Sequence, residues 1–171
     1  KGGKSLNCIL AKGQNRLAKL LHLLLRFRKR KCALTADISM AYNGLKLVPE
    51  HYAYQKYLWK EQLDSKNPTI VMVVKTLIYG VKSAGGQTIA GITTLADHCI
   101  KHFPEHDLGV LVLKDDIYMD DIVDSEDTLE DCRKVFKDIV FSLALGSRLR
   151  PSLFQVQSQL KKSLQMELEL D

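Results

Sequence analysis

The stretch Leu111-Val-Leu-Lys-Asp-Asp-Ile-Tyr-Met-Asp-Asp-Ile-Val-Asp124 decides how this chain is read. Two short apolar segments flank the adjacent acids Asp120 and Asp121, a pattern that predicts a β-hairpin with its carboxylates at or beside the turn. Like charges a few Å apart oppose each other's ionisation, and burial adds to the cost. A divalent cation removes that penalty, and carboxylate oxygen is the ligand Mg²⁺ prefers. Taken alone, an Asp-Asp pair reads more readily as an acidic, solvated turn than as a metal site. A second acid in a matching setting is what favours the metal.

That acid is Asp37, in Cys32-Ala-Leu-Thr-Ala-Asp-Ile-Ser-Met-Ala-Tyr-Asn43. Ala33 to Ile38 predicts a short buried strand ending at the acid. A helix-like turn from Ser39 to Asn43 follows, and Leu45 to Val48 is strand-like again. An Asp ending one strand, beside an Asp-Asp hairpin, supplies three carboxylates from neighbouring strands. Such a set can hold two metals about 3.5–4 Å apart for in-line phosphoryl transfer. In that chemistry, positioning and charge stabilisation do most of the work.

The pattern of Asp37, Tyr42 five positions on, and Tyr118-Met119-Asp120-Asp121 resembles motifs A and C of a reverse transcriptase. Further words in the same order narrow the resemblance: Ser5-Leu-Asn7, Leu24-Leu-Arg-Phe-Arg28, Leu34-Thr-Ala-Asp-Ile38, Tyr57-Leu-Trp59 and Thr76-Leu-Ile-Tyr-Gly80. Together they resemble the Bel/Pao group of long-terminal-repeat retrotransposons over roughly residues 5 to 145.

The resemblance implies an RNA-directed DNA polymerase palm with part of the fingers over 1–145, and a diverged tail over 146–171. It implies two Mg²⁺ ions, replaceable by Mn²⁺, on Asp37, Asp120 and Asp121. Template-primer and dNTPs would be the partners, with the remaining polyprotein (thumb, ribonuclease H, integrase) alongside, in a cytoplasmic particle or the nucleus. Tyr42 would be the steric gate under the incoming sugar, with a core tyrosine as the alternative. Gly80, in the motif B segment Leu77 to Gly85, would let the backbone approach the substrate. Tyr118 and Met119 would lie against the primer terminus, or else simply pack the hairpin. The family's Ser or Thr followed by Pro is absent near Ala84 and Gly85, and its Lys is absent near Pro151. A catalytically inactive relic or a domesticated nucleic-acid-binding fragment is the alternative function.

Composition agrees with a single domain. The chain has 171 residues, a net charge of +5 and a pI near 9.0, a balance compatible with a nucleic-acid partner. It opens at Lys1 without an initiator Met, which leads us to expect a piece of a longer polyprotein. Arg26, Arg28, Lys29, Arg30 and Lys31 read either as a solvated helix end or as a phosphate-contacting edge. Four scattered cysteines without a Cys-x-x-Cys pair point to a reduced intracellular setting and away from zinc. No apolar run reaches the length of a membrane span.

Periodicity predicts helices over Leu17–Leu25, Gln87–His102 and from Leu129 onward, and a hairpin from Tyr52–Trp59 and Ile70–Thr76 about a turn at Asp64–Pro68. The expected architecture is α+β, an antiparallel sheet with helices packed on one face and the acids on the other. Asp115 and Asp116 read as solvated acids on the strand entering the hairpin. Asp124, Glu126 and Asp127 read as the start of the following helix. Gly2-Gly-Lys-Ser5 lacks the strand and upstream Gly of a phosphate-binding loop. His98, His102 and His106, spaced by four but interrupted by Pro104, read as surface histidines rather than zinc ligands.

Overall fold

In β1 (Cys32–Asp37), Leu34 and Ala36 are buried while Ala33, Thr35 and Asp37 are exposed, the period-two alternation of a strand with one face on a core. β1 pairs antiparallel with β5 (Asp121–Glu126), and β5 pairs in turn with the short β4 (Ile117–Tyr118), giving the strand order β1-β5-β4. A separate two-stranded antiparallel sheet joins β2 (Lys56–Trp59) to β3 (Ile70–Val73). The computed structural model describes residues 3–62 and 66–149. The expected tail beyond Leu149, the missing Lys near Pro151, Gly2 and part of the Asp64–Pro68 turn lie outside them.

The chain is therefore mixed α and β, with small antiparallel sheets and helices. α4 (Asp107–Asp115) and α5 (Leu129–Leu149) pack on one face of the three-stranded sheet, and α3 (Ala84–His102) packs against both helices in the same core. The shared core brings Leu34, Ala36, Ile117 and Ile122 of the sheet against Ile92, Ala96, Cys99, Val110, Leu113, Val135 and Ile139 of the helices. Each large aliphatic side chain so buried contributes roughly 1.5–3 kcal/mol. α4 and α5 approach closely at Gly109, where an added Cβ would lie 2.5 Å from Asp138 Cβ and 2.6 Å from the Val135 carbonyl oxygen. Only a residue without a side chain fits there.

Several expectations change. Leu111 to Asp115 is not the entering strand but the last turns of α4; only Ile117 and Tyr118 enter the hairpin. Val110, Val112 and Leu113 are buried against the other helices, and this packing overrides the strand preference of a Val-rich run. Asp124 and Glu126 belong to β5, not to the following helix, which starts at Leu129 after Thr128. The Thr128 hydroxyl oxygen accepts the Asp131 backbone N–H at 3.1 Å and supplies the cap. Asp116 is buried rather than solvated, because the Arg26 Nε–H donates to its carboxylate at 2.7 Å.

α2 (Leu20–Phe27) departs from its expected stripe. Leu23 is its buried residue, while Leu20, Leu21, Leu24 and Leu25, which carry the helical spacing, are all exposed. Of the basic run that follows, Arg26 is committed to Asp116 and Arg30 to Glu126, while Arg28, Lys29 and Lys31 are exposed. The hairpin is shorter than expected, since Pro49–Tyr54 forms a 3₁₀ helix before β2. Leu45 to Val48 contributes isolated bridging residues, among them Lys46 paired with Thr76, and no strand. Among the described residues no helix is long and apolar enough to cross a membrane.

Candidate metal centre

Strand register assembles the acids. Asp37 pairs directly with Asp121 across β1 and β5, and Tyr118 pairs with Asp121 across β4 and β5. Directly paired residues share a sheet face, so Tyr118, Asp121 and Asp37 form a row on the side away from the helical core. Asp120 occupies the hairpin turn, and its carbonyl oxygen accepts the Ile38 N–H at 2.8 Å, tying the turn to the end of β1. One carboxylate oxygen from each of Asp37, Asp120 and Asp121 lies within 4.8 Å of the other two.

The turn that presents them is strained. Met119 has φ +61°, a left-handed conformation that disfavours side chains. A two-residue hairpin loop with positive φ at its first position ordinarily takes Gly. Holding Met there costs on the order of 1–3 kcal/mol. Met119 is exposed and Tyr118 half-buried, so both side chains border the acids rather than filling the core.

The Asp37 carboxyl is held above the ordinary carboxylate range, chiefly by lost hydration and then by the charges of Asp120 and Asp121. An acid whose pKa is raised by folding penalises the native state at neutral pH: stability is greatest below the unfolded value and falls as pH rises through the folded one. Asp37→Asn removes this penalty. Without divalent cation, the variant is expected to melt above the parent at neutral pH. That advantage should disappear near pH 3, below the ordinary Asp value of about 4. Thermal melts across pH measure it, and a pH-independent difference would contradict the cause assigned here.

Tyr42 stands beside this centre. Its phenol is shifted upward, first by burial, then by the charge of Asp120, then by Tyr79. Its ring meets that of Tyr79 at 4.5 Å between centroids, and its hydroxyl is 3.8 Å from where a Cβ on Gly85 would stand. Tyr79 was assigned no role by the sequence, although it sits inside Thr76-Leu-Ile-Tyr-Gly80. Asn7 is a second residue that sequence reasoning left without a role. Its Nδ2 donates to the Gly80 carbonyl at 2.7 Å, and its Oδ1 accepts the Lys82 N–H at 2.8 Å, pinning the loop that carries Tyr79.

Gly80 itself has φ +83°, a left-handed backbone that favours glycine, and no protein atom lies within 4 Å of where a Cβ would be. The histidines form no cluster of three. His98 and His102 rings lie 4.4 Å apart, whereas His106 bonds the buried Asp138 at 2.7 Å. Among the described residues, Asp37, Asp120 and Asp121 are the group of three such side chains close enough together to hold a metal ion. Compared with models of known protein families the chain matches none, and no curated protein is significantly similar to it.

Proposed function

We propose that the chain is the palm, with part of the fingers, of an RNA-directed DNA polymerase of the Bel/Pao retrotransposon type. The observation that carries this reading is the convergence of Asp37, Asp120 and Asp121 on the open face of the sheet through the β1–β5 register. An all-carboxylate donor set on a partly hydrated surface suits Mg²⁺ or Mn²⁺. Bound there, two such ions would activate a primer 3′-hydroxyl and stabilise the leaving pyrophosphate.

The chain's own contribution is position. Register holds Asp37 against Asp121, the strained turn sets Asp120 beside them, and the Asp120 carbonyl bond to Ile38 keeps the two loops together. Tyr118 and Met119 border the acids where a primer end would lie. Tyr42, braced by Tyr79, offers a ring edge to the sugar of an incoming nucleotide and rejects a 2′-hydroxyl by exclusion. The exposed Arg28, Lys29 and Lys31 supply charge for a template-primer backbone. The rest of a polyprotein, including a thumb, belongs to the same proposal.

Primer extension on an oligo(dT)-primed poly(A) template, with dTTP and Mg²⁺ or Mn²⁺, tests the reading. Extension by the 171-residue chain supports it. Absence of both extension and cation binding would leave an inactive relic of the same fold. Within an active preparation, Tyr42→Ala is expected to raise ribonucleotide relative to deoxyribonucleotide incorporation about tenfold or more, the value of one lost steric contact near 1.4 kcal/mol. Unchanged sugar selectivity would remove Tyr42 from the gate.

A further inference from the structure

We propose that the open face of the β2–β3 hairpin carrying Tyr57 and Trp59 stacks the bases of a single-stranded nucleic acid. The identity of that strand, the unpaired template, rests on the polymerase reading. Tyr57 pairs with Met72 and Trp59 with Ile70, so these four side chains share one face of the hairpin. Trp59 is 52 % exposed and Tyr57 43 %, and Ile70 and Met72 beside them are exposed as well. The two strands pack chiefly against each other, which leaves both rings open to solvent. Two positions along a strand span roughly 6.8 Å, about twice the 3.4 Å step of a nucleic-acid strand, so neighbouring bases splayed apart can each meet a ring.

The surroundings select the occupant. Every base has an apolar π-face, and aromatic rings on an exposed sheet hold unpaired bases in a sequence-tolerant way. The opposite face of the hairpin, with Leu58 and Val71, offers no ring. Among the described residues of 56–75, Lys56, Lys60, Lys66 and Lys75 outnumber the acid Glu61, which already receives Asn67 Nδ2 at 3.4 Å. That excess of positive charge suits a phosphate backbone. The base of the hairpin also leads to the candidate site. The Leu47 N–H donates to the Lys75 carbonyl and the Leu77 N–H to the Leu45 carbonyl, each at 2.9 Å, which joins the end of β3 to the segment after Tyr42. Beyond Leu77 the chain reaches Tyr79, in the loop pinned by Asn7 of α1 (Leu6–Ile9).

Trp59 is the only tryptophan of the chain, so its fluorescence reports on this face directly. Oligo(dT) and an abasic strand of equal length share their phosphates and differ only in bases. Each is titrated into the full chain at fixed salt, without dNTPs or divalent cation. Quenching of Trp59 by oligo(dT) is expected, with affinity about fivefold or more above that of the abasic strand. In Trp59→Leu, followed by anisotropy of labelled strands, that ratio should narrow, and Trp59→Phe should restore most of it. Equal affinities for the native chain, or emission that ignores both strands, would overturn the proposal. Emission that follows protein concentration instead would overturn it too, and would make the face a contact between copies of the chain. Primer extension alongside equal affinities removes the stacking face and spares the polymerase reading, whereas base-dependent binding by a chain that never extends does the reverse. Should Trp59→Leu fail to fold, the ratio measured on the native chain decides alone.

Discussion

Asp120→Asn is expected to lower primer extension by about a thousandfold while leaving the fold intact. Asn matches Asp in volume, and the side chain it replaces is partly exposed at a turn. The bond that ties this turn to β1 uses the Asp120 backbone carbonyl, which the substitution does not touch. What is lost is one of three carboxylates gathered within 4.8 Å, which on the proposed reading hold the cations. Cation stabilisation of a phosphoryl transition state is worth several kcal/mol, and each ~1.4 kcal/mol is a decade of rate. A loss near 4 kcal/mol therefore corresponds to roughly three decades. Extension rates with matched melting curves separate lost chemistry from lost structure. A variant within tenfold of the parent would mean that these carboxylates do not form the reacting centre.

The largest effect on stability is expected at Gly109. Replacing a mid-helix Gly by Ala ordinarily stabilises by about 0.8–1 kcal/mol, because Ala has the higher helix propensity. At Gly109 the sign should reverse. The new methyl would stand 2.5 Å from Asp138 Cβ, 2.6 Å from the Val135 oxygen and 2.7 Å from the Ile139 nitrogen. Two of those neighbours are backbone of α5, which can yield only by moving the whole helix. Overpacking of this kind costs typically 1–3 kcal/mol and here should sit at the upper end. Gly109→Ala is then a net loss of about 1–2 kcal/mol, read as a lower denaturant midpoint. Gly91 gives the contrast. Its nearest neighbour is the tip of Leu45 at 2.8 Å, a flexible group, so Gly91→Ala should be close to neutral. If the two variants behave alike, the α4–α5 approach is looser than described.

The acids were legible because their signal is local. A short apolar strand ending in Asp37 and a hairpin carrying Asp120-Asp121 need only period-two patterning to place them, and the register then brings them together. Asp116 was not legible, because its partner Arg26 lies 90 positions away and nothing around Asp116 announces a cation. α4 was misread because a short apolar run such as Leu111-Val-Leu suits a strand or a buried helix equally. Asp124 was misplaced for a related reason. It shares the core face of the sheet with Leu34, and burial there pushes its carboxyl upward, a setting that acids seldom take. In α2 the spacing found the helix but not its buried side. Leu23, which packs inward, lies between the leucines that form the periodic stripe.

The pairing of Asp37 with Asp121 also orders events in time. The two residues are 84 positions apart (121 − 37), whereas α3, α4 and α5 follow one another along the chain and pack as neighbours. Contacts between sequence neighbours close quickly, and pairing across a long intervening segment carries the larger loop-closure cost. No partly folded form that has its helices but not the β1–β5 ladder can gather the three carboxylates. On the proposed reading, cation binding would wait for the β1–β5 ladder, and a divalent ion in a refolding mixture would report the formation of that ladder.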